Sequence, residues 1–389
     1  MKASLAERVG LTTVGLEEIT PRSVRSWLER VRNSADGRSA SSRAEGLDRV
    51  EAAAATRLVF RVWLLAFVLK ALGSGWDVAW HFRWLRDDFA PPHDVNLVGD
   101  GIAIALVLFH AYTKFAVDRL ALRLMIVGAA LFVGSAPIDV INHRINGLDI
   151  TSWSITHFGL YTGTAILIAG VIRAWRLHSD GQPRQRLVLG ALWFFFLENV
   201  WFPDQHQEYG VRELASWDAG KPYAEPSLLD FAAKQIGHPM DRAAVLHFSL
   251  PVPAWVYPVW IATAAALTLV AARRSVGWRF TATALGAGYL AWRLLLWPVF
   301  AVTGFPHSAV PFVVLAVGLA VDVACLVGLA WPVEAAVGAV LVTGATYLAL
   351  YVQGQAGAAP PVSYLSALWA APILAVGWAL LSRLRKPLF

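Results

Sequence analysis

Runs of about twenty apolar residues recur from Arg57 to the end of this 389-residue chain, and that recurrence restricts the fold more than any other feature. A helix of that length crosses a hydrocarbon core of roughly 30 Å. Within lipid every backbone N–H and C=O must find a partner inside its own segment, so runs of this kind read as helices. About ten can be marked: 57–75, 93–115, 120–142, 152–175, 187–201, 253–272, 279–300, 309–331, 335–351 and 365–381. Hydrophobic residues make up 57% of the chain and charged ones 15%, which places it outside the soluble class. The expected fold is all-α, a polytopic transmembrane helix bundle of about ten spans in the cell membrane.

Lys and Arg set the expected orientation. They crowd the N-terminal arm (Arg22, Arg25, Arg30, Arg32), the stretches 114–123, 173–186 and 273–279, and the tail at Arg383, Arg385 and Lys386. These are alternate connections, so both termini read as cytoplasmic. The net charge of +6 restates that bias, and without a basic stripe interleaved with stacking aromatics no nucleic-acid partner is expected. Cys325 is the lone cysteine and lies in an apolar run, which excludes a disulfide framework and a thiolate metal site. The spans imply membrane lipid as the surrounding partner.

Polarity divides the chain into four parts. Residues 1–56 form a cytoplasmic arm, within which Arg22 to Val31 reads equally as an amphipathic surface helix or as a disordered stretch. Residues 57–202 form a helical bundle whose exterior turns carry His, Asp and Glu. Residues 203–252, rich in Pro and Gly, read as an exterior loop or cap. Residues 253–389 are an almost continuously hydrophobic bundle.

An internal repeat carries the chemistry. Asp77-Val-Ala-Trp-His81 is followed by Asp87 and His93, and Asp139-Val-Ile-Asn-His143 by Asp149 and His157, with the spacing through the second Asp the same in both copies. Asp and His four apart share one helix face, and the last His of each copy opens the following helix, so each hairpin closes three donors at the exterior side. Imidazole with carboxylate suits copper, zinc or iron better than magnesium or calcium. The expected metal ligands are Asp77, His81, His93, Asp139, His143 and His157, for one or two ions. The plain alternative is a pair of hydrogen-bonded Asp–His couples at helix ends. Duplication weakens that alternative, because ionisable groups at membrane depth are costly unless paired or ligated. Asp87 and Asp149 would orient ligating imidazoles, or Asp87 would pair with Arg83 or Arg86. Glu198, His238 and His247 form a looser third set of candidate ligands, with His206 below them. His110 reads as a buried hydrogen-bonded residue, and Arg293 and Asp322 as a structural ion pair. No phosphate-cradling glycine loop, nucleophile elbow or zincin helix is present.

The string from Asp77 to His93 resembles the signature of the C component of the copper membrane monooxygenases, the particulate methane and ammonia monooxygenase group. Asp77, Trp80, His81, Arg86, Asp87, Phe89, Pro91 and His93 match in order, with the chain one residue shorter before the last His. Asp139, His143 and His157 fall where that family carries its second cluster, except that the family has Asn in place of Asp139. The resemblance spans roughly residues 57–176. It implies a copper site or two adjacent ones, with iron or zinc as alternatives given the carboxylates, and activation of dioxygen to oxidise a small apolar substrate or ammonia. It also implies companion monooxygenase subunits or a homo-oligomer, a trimer by resemblance. A metal transport, sensing or assembly factor using the same His and Asp ligands is the alternative, although transport would need polar groups continuing to the cytoplasmic side. On either reading the site faces the extracytoplasmic side.

Overall fold

The computed structural model describes residues 21–35, 45–85, 90–146, 151–178 and 181–383, without the side chains of residues 143, 144 and 146. All regular structure among them is helical: α1 Pro21–Asn33, α2 Arg49–His81, α3 Pro91–Thr113, α4 Arg119–Asn146, α5 Ile155–Leu177, α6 Pro183–Asp218, α7 Pro226–Gln235, α8 Arg242–Ser249, α9 Val256–Val276, α10 Thr281–Thr303, α11 Val313–Leu326, α12 Trp331–Ala356 and α13 Ala367–Arg383. Among the described residues nine helical segments are long and apolar enough to cross a membrane, the last of them Tyr364–Arg383, in which a short 3₁₀ turn leads into α13. The chain is a polytopic transmembrane helix bundle.

Local chemistry starts and stops the helices that carry the site. Asp48 caps α2 by accepting from the backbone of Val50 and Glu51, and the Glu51 side chain answers by accepting from the Asp48 N–H, which satisfies donors that a helix start leaves orphaned. Pro91 opens α3, where its missing N–H costs nothing. Ser154 accepts from the His157 N–H at 3.2 Å and so fixes the first turn of α5. α1 is a helix with Val31 buried and Trp27 stacked on Phe109 of α3, the helical one of the two expected forms.

Two antiparallel hairpins, α2–α3 and α4–α5, flank the site. Apolar side chains gain little from meeting each other rather than lipid, so close backbone approach carries the association. On α4–α5 that approach is extreme: a Cβ on Gly128 would lie 2.4 Å from the Leu167 nitrogen and 2.6 Å from the Gly163 carbonyl. Glycine is the residue that fits this seam.

Three expectations are corrected. The fifth span does not stop at Trp201: α6 runs on through Pro203 to Asp218, about 54 Å at the standard helical rise. The 203–252 region is therefore the C-terminal end of α6 covered by α7 and α8, with Val78, Phe82, Tyr209, Leu228, Leu229 and Phe248 packed around them. Its acidic residues look like loop residues in sequence, but on α6 Asp204, Glu208 and Glu213 are buried. Residues 309–331 contain a helix of only 14 residues, α11, because the preceding segment is held non-helical against α6, where the Ala309 N–H donates to the Glu208 carbonyl at 2.8 Å. Arg293 and Asp322 do not pair with each other. Arg293 binds Glu208 at 2.7 Å, and Asp322 binds Arg273 at 3.1 Å while accepting from the Thr283 N–H and hydroxyl at the start of α10.

Candidate metal centre

Asp77 and His81 lie one turn apart near the end of α2, and His93 is in the first turn of α3. The hairpin brings the three together. His81 Nε2 is 3.2 Å from His93 Nε2 and 3.2 Å from Asp77 Oδ1, and His93 Nε2 is 2.9 Å from the same oxygen. All three side chains are half-buried. Asp77 Oδ1 itself is buried and accepts no well-aligned hydrogen bond from either ring, so the two nitrogens crowd the oxygen without bonding it along their N–H directions. Donors around a transition-metal ion at about 2.0–2.2 Å stand at comparable separations from one another. Two imidazoles and one carboxylate form a donor set for copper, zinc or iron. These residues fit such an ion.

The second hairpin supplies a different arrangement. Asp139 is buried on α4, and its Oδ1 accepts from the Thr156 hydroxyl at 2.6 Å, with His157 Nε2 at 3.6 Å. His157 Nδ1 lies 2.8 Å from the Thr151 carbonyl. His143 belongs to α4, but its side chain lies outside the described residues, as do Asp87 and Asp149 altogether.

A cavity of about 510 Å³ takes lining from both hairpins: Asp77, His81 and His93 from the first, Asp139 and His157 from the second. Glu198 and His206 of α6 also line it. Glu198 is buried and accepts a long contact of 3.4 Å from Gln205 Nε2, whereas His206 Nε2 donates to the Phe248 carbonyl at 3.1 Å, with its ring among Phe82 and Phe248. Apolar walls come from Leu97, Phe132, Ala136, Val140, Leu160 and Phe202. The structure does not bring His238 and His247 into the cavity. Both are exposed, and His238 stands 3.3 Å from Asp241, the N-cap of α8, whose carboxyl is held below its usual range by the Ala244 and Ala243 N–H groups and by His238.

Lys70 and Asp100 are site residues that the repeat does not reveal. They meet in an ion pair across α2 and α3, both line the cavity, and Lys70 also lies over the Phe132 ring. A charge in the middle of an apolar run, matched by an opposite charge in the next run, was the available signal. Thr151 and Thr156 are further additions, and no sequence pattern singles them out. His110 is buried as expected, with Nε2 accepting from Trp63 Nε1 at 3.1 Å and Nδ1 meeting the Phe115 carbonyl at 2.9 Å.

Fold and site together define a membrane-embedded helix bundle with a His/Asp cluster opening on a largely apolar cavity. No protein-family model, curated protein or solved structure matches the chain.

Proposed function

We propose that this chain is a membrane metalloprotein in which Asp77, His81 and His93 hold a redox metal, and that it oxidises a small apolar substrate or ammonia with dioxygen. The observation that carries the reading is the approach of three donor atoms, one from each residue, to within 2.9–3.2 Å of one another. Copper is the metal we favour, because the string 77–93 resembles the C component of the copper membrane monooxygenases; iron and zinc suit the same donors. When bound, copper would supply one-electron exchange and a binding position for dioxygen.

The chain's own residues would do the rest. Asp77 offsets positive charge and, one turn before His81, fixes where that ring sits. Leu97, Phe132, Ala136 and Val140 offer an apolar molecule a surface and keep water sparse beside the metal. Asp139, steadied by Thr156, and His157, steadied by Thr151, face the same cavity and would accept protons or complete a second metal site. A metal conduit would need exchangeable polar groups continuing along α3, but both ring nitrogens of His110 are already engaged. That favours a closed site over transport. In this reading both termini are cytoplasmic and the site faces outward, with companion subunits or further copies of the chain completing the assembly.

The test is copper, iron and zinc quantified per chain in purified protein and in His93→Ala, alongside dioxygen consumption with a short alkane or ammonia and a reductant. We expect one or two coppers per chain, lost in the variant, and substrate-dependent oxygen uptake. Zinc alone without oxygen uptake would move the reading to sensing or assembly. Equal metal in both proteins would remove it.

A further inference from the structure

Outside the cavity, the C-terminal half of α6 carries a second group of buried charges. Arg293 of α10 reaches α6 and binds Glu208 Oε2 at 2.7 Å, while also donating to the Tyr289 hydroxyl at 3.0 Å and to Ser308 Oγ at 2.5 Å. The other Glu208 oxygen accepts from Trp201 Nε1 at 2.8 Å and from the Tyr257 hydroxyl at 3.0 Å. Glu208 is thus a carboxylate with donors on one oxygen and its own cation on the other. One turn earlier on the same face of α6 stands Asp204. It is wholly buried, and neither of its oxygens has a hydrogen-bond partner among the described residues.

The charges do not balance if Asp204 is ionised. Two carboxylates would then share one guanidinium, and the one without a single donor would sit beside the other in a site closed to water. A buried, unpaired carboxylate in that position neutralises itself. The other titratable or charged groups facing the cluster are Tyr257 of α9, Tyr289 and Arg293 of α10, and Glu198, Glu208 and Tyr209 of α6, of which Glu198 is a further buried acid within electrostatic reach of Arg293. From α8, Ser249 and Phe248 pack inward while Arg242 and His247 are turned away from the cluster's buried interior. None of these offers Asp204 a second positive charge.

We propose that Asp204 is a proton-binding site, its carboxyl group taking up one proton as α6 packs against the C-terminal half and thereby balancing the Arg293–Glu208 cluster. A proton suits the geometry better than a metal cation, because a hard cation asks for about six oxygen ligands whereas a proton asks for one. The inference assigns the C-terminal half a role at α6, and it stands whether or not the cavity holds a metal. No covalent bond other than the O–H of Asp204 is made: the carboxylate takes one proton from a hydronium ion of the solvent, which leaves as water.

Infrared spectroscopy of the full chain, with the aspartate carboxyl carbon isotopically labelled, reads the site directly. At neutral pH we expect a C=O stretching band of a protonated carboxylic acid that moves with the label and is lost in Asp204→Asn. Because the folded chain would bind one proton more than the unfolded chain, stability should fall as pH rises. The wild type should therefore lose melting temperature relative to Asp204→Asn between about pH 5 and pH 8, with the gap closing at the acid end. Absence of a label-sensitive acid band, or its survival in Asp204→Asn, overturns the proposal. So does a sodium- or potassium-dependent rise in melting temperature in the wild type alone without the band, which would mean that a metal cation neutralises the charge. If Asp204→Asn does not fold, the pH titration of the labelled band in the wild type decides by itself.

Discussion

The imidazole of His157 is oriented by the backbone of Thr151: its Nδ1 stands 2.8 Å from the Thr151 carbonyl oxygen, and Nε2 faces Asp139 at 3.6 Å. A carbonyl only accepts, so Nδ1 carries a proton, and the ring is held with Nε2 toward the carboxylate. Asp139 in turn is fixed by the Thr156 hydroxyl. In the first hairpin the three donors meet one another directly, and in the second they are held by their neighbours.

That contrast separates two kinds of variant. His93→Ala and Asp77→Ala remove donor atoms and should abolish most bound metal. Thr156→Val leaves the donors in place and removes one orienting hydrogen bond, for which a loss of about 10-fold to 100-fold in affinity is expected. Metal titration of the purified variants checks both, and equal affinity across the series would return these residues to simple hydrogen-bonded pairs.

The Lys70–Asp100 pair lines the cavity with both side chains largely shielded, at 14% and 13% exposure. Removing one partner strands the other charge, so Lys70→Met should destabilise the protein by about 3–5 kcal/mol. The double variant Lys70→Met, Asp100→Leu should recover most of that loss, because no charge is left without its partner. Thermal unfolding in detergent, run as a double-mutant cycle, measures the difference. A double variant no better than the single would mean that packing, and not charge, sets the cost.

At the α4–α5 seam, Gly128→Ala places a methyl group within 2.4 Å of the Leu167 nitrogen. Backbone cannot yield as a flexible side chain does, so the hairpin must separate, at a cost of about 1–3 kcal/mol. Since Asp139 lies on α4 and His157 on α5, the Asp139–His157 geometry should loosen with it. Gly134→Ala is the control, for a Cβ there meets nothing within 4 Å. Equal melting temperatures for the two variants would contradict the seam.

Asp118, between α3 and α4, receives Arg173 of α5 at 2.7 Å and the Ala121 N–H at 2.8 Å, and these contacts, Arg173 foremost, hold its carboxyl below the ordinary range. A carboxyl depressed by folding contributes stability above its unfolded value and loses it as pH falls through the folded one. Asp118→Asn should therefore be less stable than wild type at neutral pH, by about 1 kcal/mol or less given its partial exposure. The gap should close in acid, below about pH 4. Melting curves at neutral and acid pH read the trend, and a gap that widens in acid would reverse the sign.

Much of the bundle was legible in the sequence because lipid imposes one simple rule on every span: apolar outside and hydrogen-bonded within. The Asp77–His81–His93 set was legible too, since helical spacing places two donors on one face and a short turn returns the third. The C-terminal half of α6 was not. Pro203 and the polar run after it have the composition of a loop, whereas Arg293, Tyr257 and Trp201, two of them far along the chain, give its buried Glu208 partners. Local composition carries no mark of a partner supplied from so far away. For the same reason Arg293 and Asp322, expected as each other's partners, found different ones.

Pro203 also sets where α6 can give way. It has no N–H to offer the carbonyl of Asn199, a residue of the cavity wall, so the rod lacks one of its axial ties at that level. On the C-terminal side of this gap, Glu208 anchors the helix to α10; on the N-terminal side, Trp193 and Leu197 seat it in the main core. The missing tie lies between two anchored segments, so a tilt of the C-terminal segment would be taken up at the cavity wall. A bend of α6 at Pro203 would thus move Asn199 and Phe202, both in the cavity wall.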